Sequence, residues 1–459
     1  MRSGDVEIAE APRRTPVIAR AQVVVLGGGP AGIAAALGAA RAGASTVLIE
    51  RYGFLGGTAT AAMVTNFCGL YANVHGEIRR VVRGVADELL ERLDRLGALR
   101  APHSVFGRTK AIAFDGAAYK CVTDALLVEA KVDLHLHALA VGAVCEGGRV
   151  RALLVETATG RGAIVGETFV DCSGDADLSL WAGCAYEKGD AAGHFPYATL
   201  LFRLGGVDDA RALAEGKPAL RSLVESPEAE RSLGFPCRAA YLNPQPHPGE
   251  WRVNATRPAR TNGSAPDGTN HDDVRAAEIE GRRQVLRLAA FLREYVPGFE
   301  ASYLLEIAPQ LGWRETRRVV AHYRLSGDDV LGCRDFDDAI GVNGWPVEQH
   351  QRDGVEWRWP PGRGYHQIPF RCLLPRGIDN LLAAGRCAGA TSEGLASLRV
   401  SGPCFAMGQA AGTAAALSAA SGLAPAALDV AALQARLRAA GVFLGDPHGL
   451  EPPAEGLAS

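Results

Sequence analysis

The stretch VVVLGGGPAGIAAALGAARAGASTVLIERYGFLGGT, residues 23–58, decides the fold of this chain. It begins with an apolar run of strand length, and an alanine-rich helical pattern follows from Pro30. Between the two, Gly27 allows a tight turn, Gly29 lets the backbone approach a pyrophosphate, and Gly32 lets the helix pack closely on the strand. The N-terminus of the helix then faces the phosphates.

The same stretch indicates the class of ligand. Its second strand, residues 45–50, ends in Glu50, where a carboxylate would accept hydrogen bonds from ribose hydroxyls. The strand, glycine turn, helix and acid together predict a dinucleotide site. A further glycine pair, Gly56 and Gly57, places more bare backbone near the cofactor than NAD alone would need. The sequence therefore favours FAD.

Two later segments support this choice. Residues 132–156 predict three strands of a β-meander with a turn at Gly147 and Gly148. Residues 380–418 predict a buried strand and then a helix of small residues with Ser401 as its N-cap. The N-terminus of that helix would stabilise negative charge on a reduced flavin ring.

Composition narrows the possible partners. The 459 residues carry a formal charge of −3, which provides no field for nucleic acid or an anionic membrane. The N-terminus has no apolar core of signal-peptide length, so we expect a cytoplasmic protein with a flexible leader over residues 1–18. The ten cysteines form no C-x-x-C pair and no cluster with histidine at metal spacing. We therefore expect neither a disulfide framework nor a metal site.

The order of these segments resembles the glutathione-reductase-type FAD flavoproteins, and more closely the FAD-dependent oxidoreductases related to fumarate reductase flavoproteins. The resemblance covers about residues 21–417. Its most specific stretches are ERYGFLGGTATA, VDCSGDADLS, GWRETRRVVAHYRLSGDDV, HQIPFRCLLPRGIDNLLAAGR and LRVSGPCFAMGQAAGTAAAL. It implies an α/β fold, in which a Rossmann-like FAD-binding domain of the glutathione-reductase type carries a discontinuous α+β substrate or cap domain.

We expect the following domain boundaries. The FAD-binding domain comprises residues 19–75, 120–190 and 365–425, the cap domain comprises residues 76–119 and 191–364, and residues 426–459 form a C-terminal helix and tail.

The resemblance also implies which residues bind the cofactor. These are Gly27, Gly29, Pro30, Ala31, Gly32, Glu50, Arg51, Gly57, Thr58, Ala140, Gly174, Asp175, Gly385, Arg386 and Gly402. In the family pattern, Ala140 lies where the backbone usually holds adenine. Gly385 and Arg386 end the strand under the ribityl chain, and Gly402 opens the helix that faces the isoalloxazine.

Departures from these relatives limit the chemistry. Disulfide reductases carry a cysteine pair after the second glycine pair, whereas this chain has only Cys68 there. We expect Asn66 and Cys68 to be candidates for lining the cavity, without a nucleophilic role for the thiol.

No second G-x-G-x-x-G follows a strand, so we expect no dedicated NAD(P)H domain, and the electron acceptor or donor is unknown. The histidine that attaches FAD covalently in membrane fumarate reductases has no counterpart, so we expect noncovalent FAD.

Catalytic candidates must reach the N5 atom of the flavin, where hydride arrives or leaves. His366 would exchange a proton near neutral pH, or be a structural histidine bonded to backbone. Arg371 would hold a carboxylate or polarise a carbonyl, or form an internal salt bridge. Arg399 would stabilise reduced flavin or pair with Glu393.

Two segments, residues 77–99 and 272–296, repeat apolar residues at helical spacing and are predicted as helices. Arg314, Arg317 and Arg318 are spaced to form an anion site on one helical face or, alternatively, to brace the domain interface.

Three classes of function remain open. The leading one is a dehydrogenase, oxidase or reductase that transfers a hydride between flavin N5 and a small polar organic substrate at the domain interface; a homodimer is compatible with it. The second is a flavin-dependent monooxygenase, which needs a docking face for NAD(P)H. The third is a flavoprotein subunit that relays electrons or binds RNA, although the acidic charge balance opposes RNA binding.

Overall fold

A parallel sheet joins the N-terminal glycine turn to the distant C-terminal segments. The computed structural model describes residues 10–235, 237, 239–352 and 354–445. Half of the predicted leader, residues 1–9, and the end of the predicted tail, residues 446–459, lie outside the described residues. The first strand begins at Val17, two residues inside the predicted leader.

The described part of the chain contains strands β1 to β22: Val17–Leu26, Thr46–Ile49, Asn66–Phe67, Tyr71–Val74, Glu77–Arg80, His103–Val105, Thr109–Ala113, Asp133–His135, Leu139–Glu146, Arg149–Thr157, Gly160–Asp171, Tyr186–Glu187, Phe202–Gly205, Tyr241–Pro244, Trp251–Asn254, Tyr303–Ile307, Arg318–Val319, Ala339–Asn343, Val347–His350, Val355–Arg358, His366–Pro369 and Leu381–Ala383.

Over the same residues, helices α1 to α12 are Pro30–Arg41, Val85–Arg95, Gly116–Glu129, Asp177–Trp181, Asp209–Arg211, Lys217–Val224, Pro227–Leu233, His271–Tyr295, Gly327–Leu331, Ser392–Leu398, Ser401–Ser421 and Val430–Ala439. Among them, none is both long enough and apolar enough to cross a membrane.

Strand β1 lies between β2 and β11 and is parallel to both. Strand β8 pairs in parallel with β2, and β22 pairs in parallel with β11. The antiparallel strands β10 and β9 extend the sheet, joined by a turn in which Gly147 and Gly148 both have positive φ. The predicted mixed α/β architecture is confirmed. The predicted meander is correct for β9 and β10 but wrong for its first strand, because β8 pairs with β2 and the third strand of the meander is β11. Because the carboxyl ends of β1, β2, β11 and β22 meet at one edge, the loops that follow them share one site.

Helix α11 packs on α1 at backbone distance. A Cβ atom on Gly412 would lie 1.8 Å from the carbonyl oxygen of Ala35, and one on Gly408 would lie 2.1 Å from that of Ala31. The small residues predicted for this helix therefore lie where it meets α1. The predicted N-cap is wrong by one residue, because Val400 is the N-cap and Ser401 instead bonds the backbone of the loop after β3.

A second, antiparallel sheet has the strand order β14, β15, β13, β16. Its apolar face shares a core with α8, which confirms the helix predicted over residues 272–296.

The structure overturns two further sequence-based expectations. Only Val85–Arg95 of the predicted helix 77–99 is helical, because Gly76 and Gly84 have positive φ and the intervening segment forms β5. The segment with Arg314, Arg317 and Arg318 is not a helix, so the predicted anion site on one helical face is wrong. These arginines contact separate carbonyls and side chains instead.

Candidate functional site

A cavity opens at the carboxyl edge of the parallel sheet, where the loops after β1, β2, β11 and β22 meet. Its lining includes most residues predicted to bind the cofactor: Gly27, Gly29, Pro30, Ala31, Glu50, Arg51, Gly57, Thr58, Ala140, Gly174, Gly385 and Arg386. Segments that are far apart in sequence therefore line one cavity. Gly32, Asp175 and Gly402 lie outside its lining.

The glycine turn leaves the N-terminus of α1 open to this cavity. Gly27 has a φ of +98°, and a Cβ atom on Gly32 would lie 1.7 Å from the carbonyl oxygen of Gly27. Gly29 is the N-cap of α1 and provides no capping side chain. A Cβ atom on Gly57 would lie 2.8 Å from Cα of Gly29, so two stretches of bare backbone meet here. An uncapped helix N-terminus flanked by bare backbone fits a pyrophosphate.

The carboxylate of Glu50 is buried beside this turn. Its Oε2 accepts a hydrogen bond from the amide of Gly28 at 2.7 Å, and its Oε1 accepts from the amide of Tyr52 at 3.0 Å. An ionised carboxylate has about four acceptor positions, so both oxygens can also accept from hydroxyl groups. This arrangement fits a ribose.

Two predicted cofactor residues make contacts within the protein. Asp175 accepts hydrogen bonds from Arg386 at 2.9 Å and from Thr316 at 2.8 Å, so it positions the guanidinium that lines the cavity. The amide of Gly402 donates to the carbonyl of Cys68 at 2.8 Å. The loop after β3 therefore holds the first turn of α11.

Asn66 and Cys68 line the cavity, as predicted. Burial raises the pKa of the Cys68 thiol to about 12. The group is therefore a neutral thiol at neutral pH, which agrees with the expectation that it is not a nucleophile.

Two predicted catalytic residues lie outside the cavity. His366 is fully buried, with its Nδ1 at 2.9 Å from the carbonyl of Gln367 and its Nε2 at 3.1 Å from the amide of Asn343, and burial lowers its pKa to about 4. Arg371 is half exposed and donates two hydrogen bonds to Asp338 at 2.9 and 3.1 Å. His366 is thus a structural histidine bonded to backbone, and Arg371 forms an internal salt bridge, which are the alternatives considered from the sequence.

Arg399 does line the cavity, and its partner is Glu348 at 3.1 Å. Glu393, the partner considered from sequence, pairs with Arg358 instead. Glu348 also accepts from the indole of Trp345 at 3.0 Å. Arg399, Glu348 and Trp345 are distant from the glycine turn in sequence. We call the region of the cavity that these three residues line the inner end.

The sequence analysis missed His350, which lies at the end of β19 and lines the inner end. Its Nε2 lies 2.8 Å from Oε1 of Glu348. Burial opposes ionisation of Glu348, yet His350 and Arg399 hold its pKa below the usual value. Burial and the Arg314 guanidinium lower the pKa of His350 well below 6.5, so the ring is neutral.

An ionised Glu348 can only accept, so Nε2 of His350 carries the ring proton and Nδ1 keeps its lone pair. This Nδ1 is buried and has no hydrogen-bond partner among the described residues. A neutral histidine held by a carboxylate, with a free ring nitrogen, can accept a proton. The signal in the sequence was the spacing of Glu348 and His350, since alternate residues of a strand share a face.

Known proteins resemble this chain to different degrees. The family model described as "FAD dependent oxidoreductase" matches residues 22–437. No curated protein matches the chain. Among solved structures, a geranylgeranyl bacteriochlorophyll reductase-like protein from Thermoplasma acidophilum is 13% identical with a TM-score of 0.47, covering 94% of each chain. The p-nitrophenol 4-monooxygenase from Pseudomonas putida is 14% identical with a TM-score of 0.45, covering 94% of this chain and 91% of its own. At such identities a shared substrate does not follow.

Proposed function

Because this chain belongs to the family of FAD-dependent oxidoreductases, we propose that it transfers a hydride between flavin N5 and a small polar organic substrate bound at the inner end of the cavity. The observation that carries the proposal is the neutral ring of His350, which Glu348 holds through Nε2 and whose Nδ1 has no partner among the described residues.

The residues at the glycine turn would hold the cofactor. The N-terminus of α1 at Gly29 would bind the pyrophosphate, and Glu50 would accept from the adenosine ribose. When bound, FAD supplies the acceptor or donor of the hydride at its N5 atom. We propose that the second sheet and its flanking segments form a cap over the cofactor, since they contribute Thr199, Leu201 and Asn254 to the cavity lining.

His350 would handle the proton of the reaction. In the oxidative direction, Nδ1 accepts the proton of a substrate hydroxyl or amino group, and the neighbouring carbon gives up its hydrogen with two electrons as hydride. The resulting bond is a C=O or C=N double bond. Glu348 fixes the ring through Nε2 and stabilises the imidazolium that forms. Arg399 keeps Glu348 ionised.

The test is anaerobic reduction of the FAD-loaded protein by a panel of small alcohols, amines and hydroxy acids without NAD(P)H. Bleaching of the visible flavin band by an organic compound is the expected result. Reduction by NAD(P)H alone, followed by oxygenation of an added compound, would instead indicate a monooxygenase. Reduction by neither would leave an electron-relay subunit as the function and refute the proposal.

A further inference from the structure

Three buried arginines, two of which line the cavity, carry positive charge that no carboxylate of the described residues neutralises. Arg252, Arg257 and Arg314 are only 4%, 4% and 8% exposed. Among the described residues, no carboxylate lies within ion-pair distance of any of the three, and their hydrogen bonds go to neutral groups. Buried charges are normally paired.

Two of these guanidinium groups share one neutral acceptor. Arg257 and Arg314 donate to the same Oγ1 of Thr199, at 3.2 and 2.8 Å respectively. Their charges therefore repel each other across a single hydroxyl group. Burial, together with Arg257 and Arg399, lowers the pKa of Arg314 well below 12.5, which agrees with an uncompensated charge.

Arg252 extends from β15 into the cavity. One terminal nitrogen donates to Oδ1 of Asn66 at 3.1 Å, in the amide orientation that satisfies both groups of Asn66. The Nε of Arg252 is buried and has no hydrogen-bond partner in the part of the chain that the structure describes, and the same is true of Nη2 of Arg257. These are hydrogen-bond donors without an acceptor.

Glu348 does not supply the missing negative charge. Its two oxygens already accept from His350, Arg399 and Trp345. It offsets the charge of Arg399, which leaves the three other arginines uncompensated. His350 is neutral and contributes no charge.

We propose that the substrate carries a carboxylate group and that Arg252 and Arg314, which both line the cavity, bind it. Guanidinium groups present planar pairs of donors that match a carboxylate. Trp313 and Trp345 also line the cavity and provide apolar walls for the organic part of the molecule. Arg257, which donates to the same Thr199 hydroxyl as Arg314, reinforces the positive potential. The inference rests on the proposed function and narrows its substrate to an organic acid.

The test is a binding titration of the FAD-loaded protein at constant ionic strength. The probes are sodium acetate, succinate and benzoate, each compared with its neutral amide, and inorganic phosphate is a further arm. Binding is followed by the change in the visible flavin spectrum and by the melting temperature. At least one carboxylate is expected to bind, and its amide is expected to bind at least about tenfold more weakly.

Variants separate this role from a structural one. Arg252→Met and Arg314→Met are expected to weaken carboxylate binding at least about tenfold, whereas Arg252→Lys keeps the charge and part of the affinity. The matched control is Arg203→Met, because Arg203 lies opposite Arg252 in the sheet and is already paired with Glu250 and Glu306. This control is expected to bind the carboxylate as the wild type does.

Three results would overturn the proposal. The first is no binding of any of the three carboxylates, or equal binding of acid and amide. The second is binding of phosphate alone. The third is unchanged carboxylate binding in Arg252→Met and Arg314→Met together with a lower flavin reduction potential, which would mean that the arginines stabilise the reduced cofactor. Carboxylate binding without flavin bleaching by any organic compound would refute hydride transfer while leaving the carboxylate site intact.

Discussion

Replacing Arg252 with methionine is expected to stabilise the FAD-loaded protein when no anion is present. Burial lowers the pKa of Arg252 from 12.5 to about 10. One pKa unit corresponds to about 1.4 kcal/mol, so burial of the charged form destabilises the folded chain by about 3 kcal/mol. Because the pKa is lower in the folded state, this destabilisation is fully present at pH 7 and disappears only as the pH rises from about 10 towards 12.5.

The substitution also removes the hydrogen bond from Arg252 to Asn66, which offsets about 1–2 kcal/mol of this gain. The expected net increase in the free energy of unfolding is therefore about 1–2 kcal/mol. With an unfolding entropy of about 2.1 cal/mol/K per residue, the chain of 459 residues gains about 1–2 °C in melting temperature.

The assay is differential scanning calorimetry in excess FAD, with and without the best-bound carboxylate from the titration. At a ligand concentration of 100 times the wild-type Kd, binding adds about 2.7 kcal/mol to the wild type, whereas a variant with a tenfold higher Kd gains about 1.4 kcal/mol. The difference of about 1.3 kcal/mol is similar to the stability that the variant gains without ligand, so the ligand should shrink or abolish the lead of the variant in melting temperature. The reasoning fails if Arg252→Met melts below the wild type without ligand, or if the ligand stabilises both proteins equally.

Three more predictions concern proton transfer, cofactor binding and packing. His350→Gln should slow anaerobic flavin reduction by about 10²–10⁴-fold in stopped-flow measurements. Because the pKa of His350 is lowered, the wild-type rate should stay constant from pH 8 to 6, and a halving of the rate near pH 6.5 would contradict this. Glu50→Ala should lose FAD on dialysis, unlike Glu156→Ala on strand β10 of the same sheet, and equal retention would refute the ribose contact. Gly412→Ala should lower the melting temperature. Gly142→Ala should not, because its Cβ would meet only Leu154 at 3.8 Å, and equal effects of the two substitutions would refute the close contact of α1 and α11.

The half of the site around the glycine turn could be predicted because its determinants are local. Gly27, Gly29 and Gly32 act through the backbone geometry of one short segment, and Glu50 follows at the end of the next strand. A local determinant also explains why the helix predicted over residues 77–99 is only partly correct. The spacing of its apolar residues is helical, but Gly84 has a positive φ, so the helix cannot extend to the residues before it.

The inner end could not be predicted, because its residues come from distant segments with no shared motif. Arg252 lies on β15, Arg314 lies in a loop, and His350 ends β19. His366 attracted attention by its closeness in sequence to the last strand of the parallel sheet. It belongs to β21, however, and pairing of that strand with β18 buries its side chain against Asn343.

The contrast between arginines within this one chain strengthens the case for an anionic substrate. Two other buried arginines of the chain have carboxylate partners: Arg318 pairs with Glu315, and Arg363 pairs with Asp335. The fold can therefore supply a counter-charge where the charge serves structure. Folded proteins are stable by only about 5–15 kcal/mol, so an unpaired buried guanidinium that removes about 3 kcal/mol takes away a large fraction of that stability. We expect such a cost to persist only where the charge has a function. A carboxylate that arrives with the substrate would supply the missing partner in the cavity that Arg252 and Arg314 line.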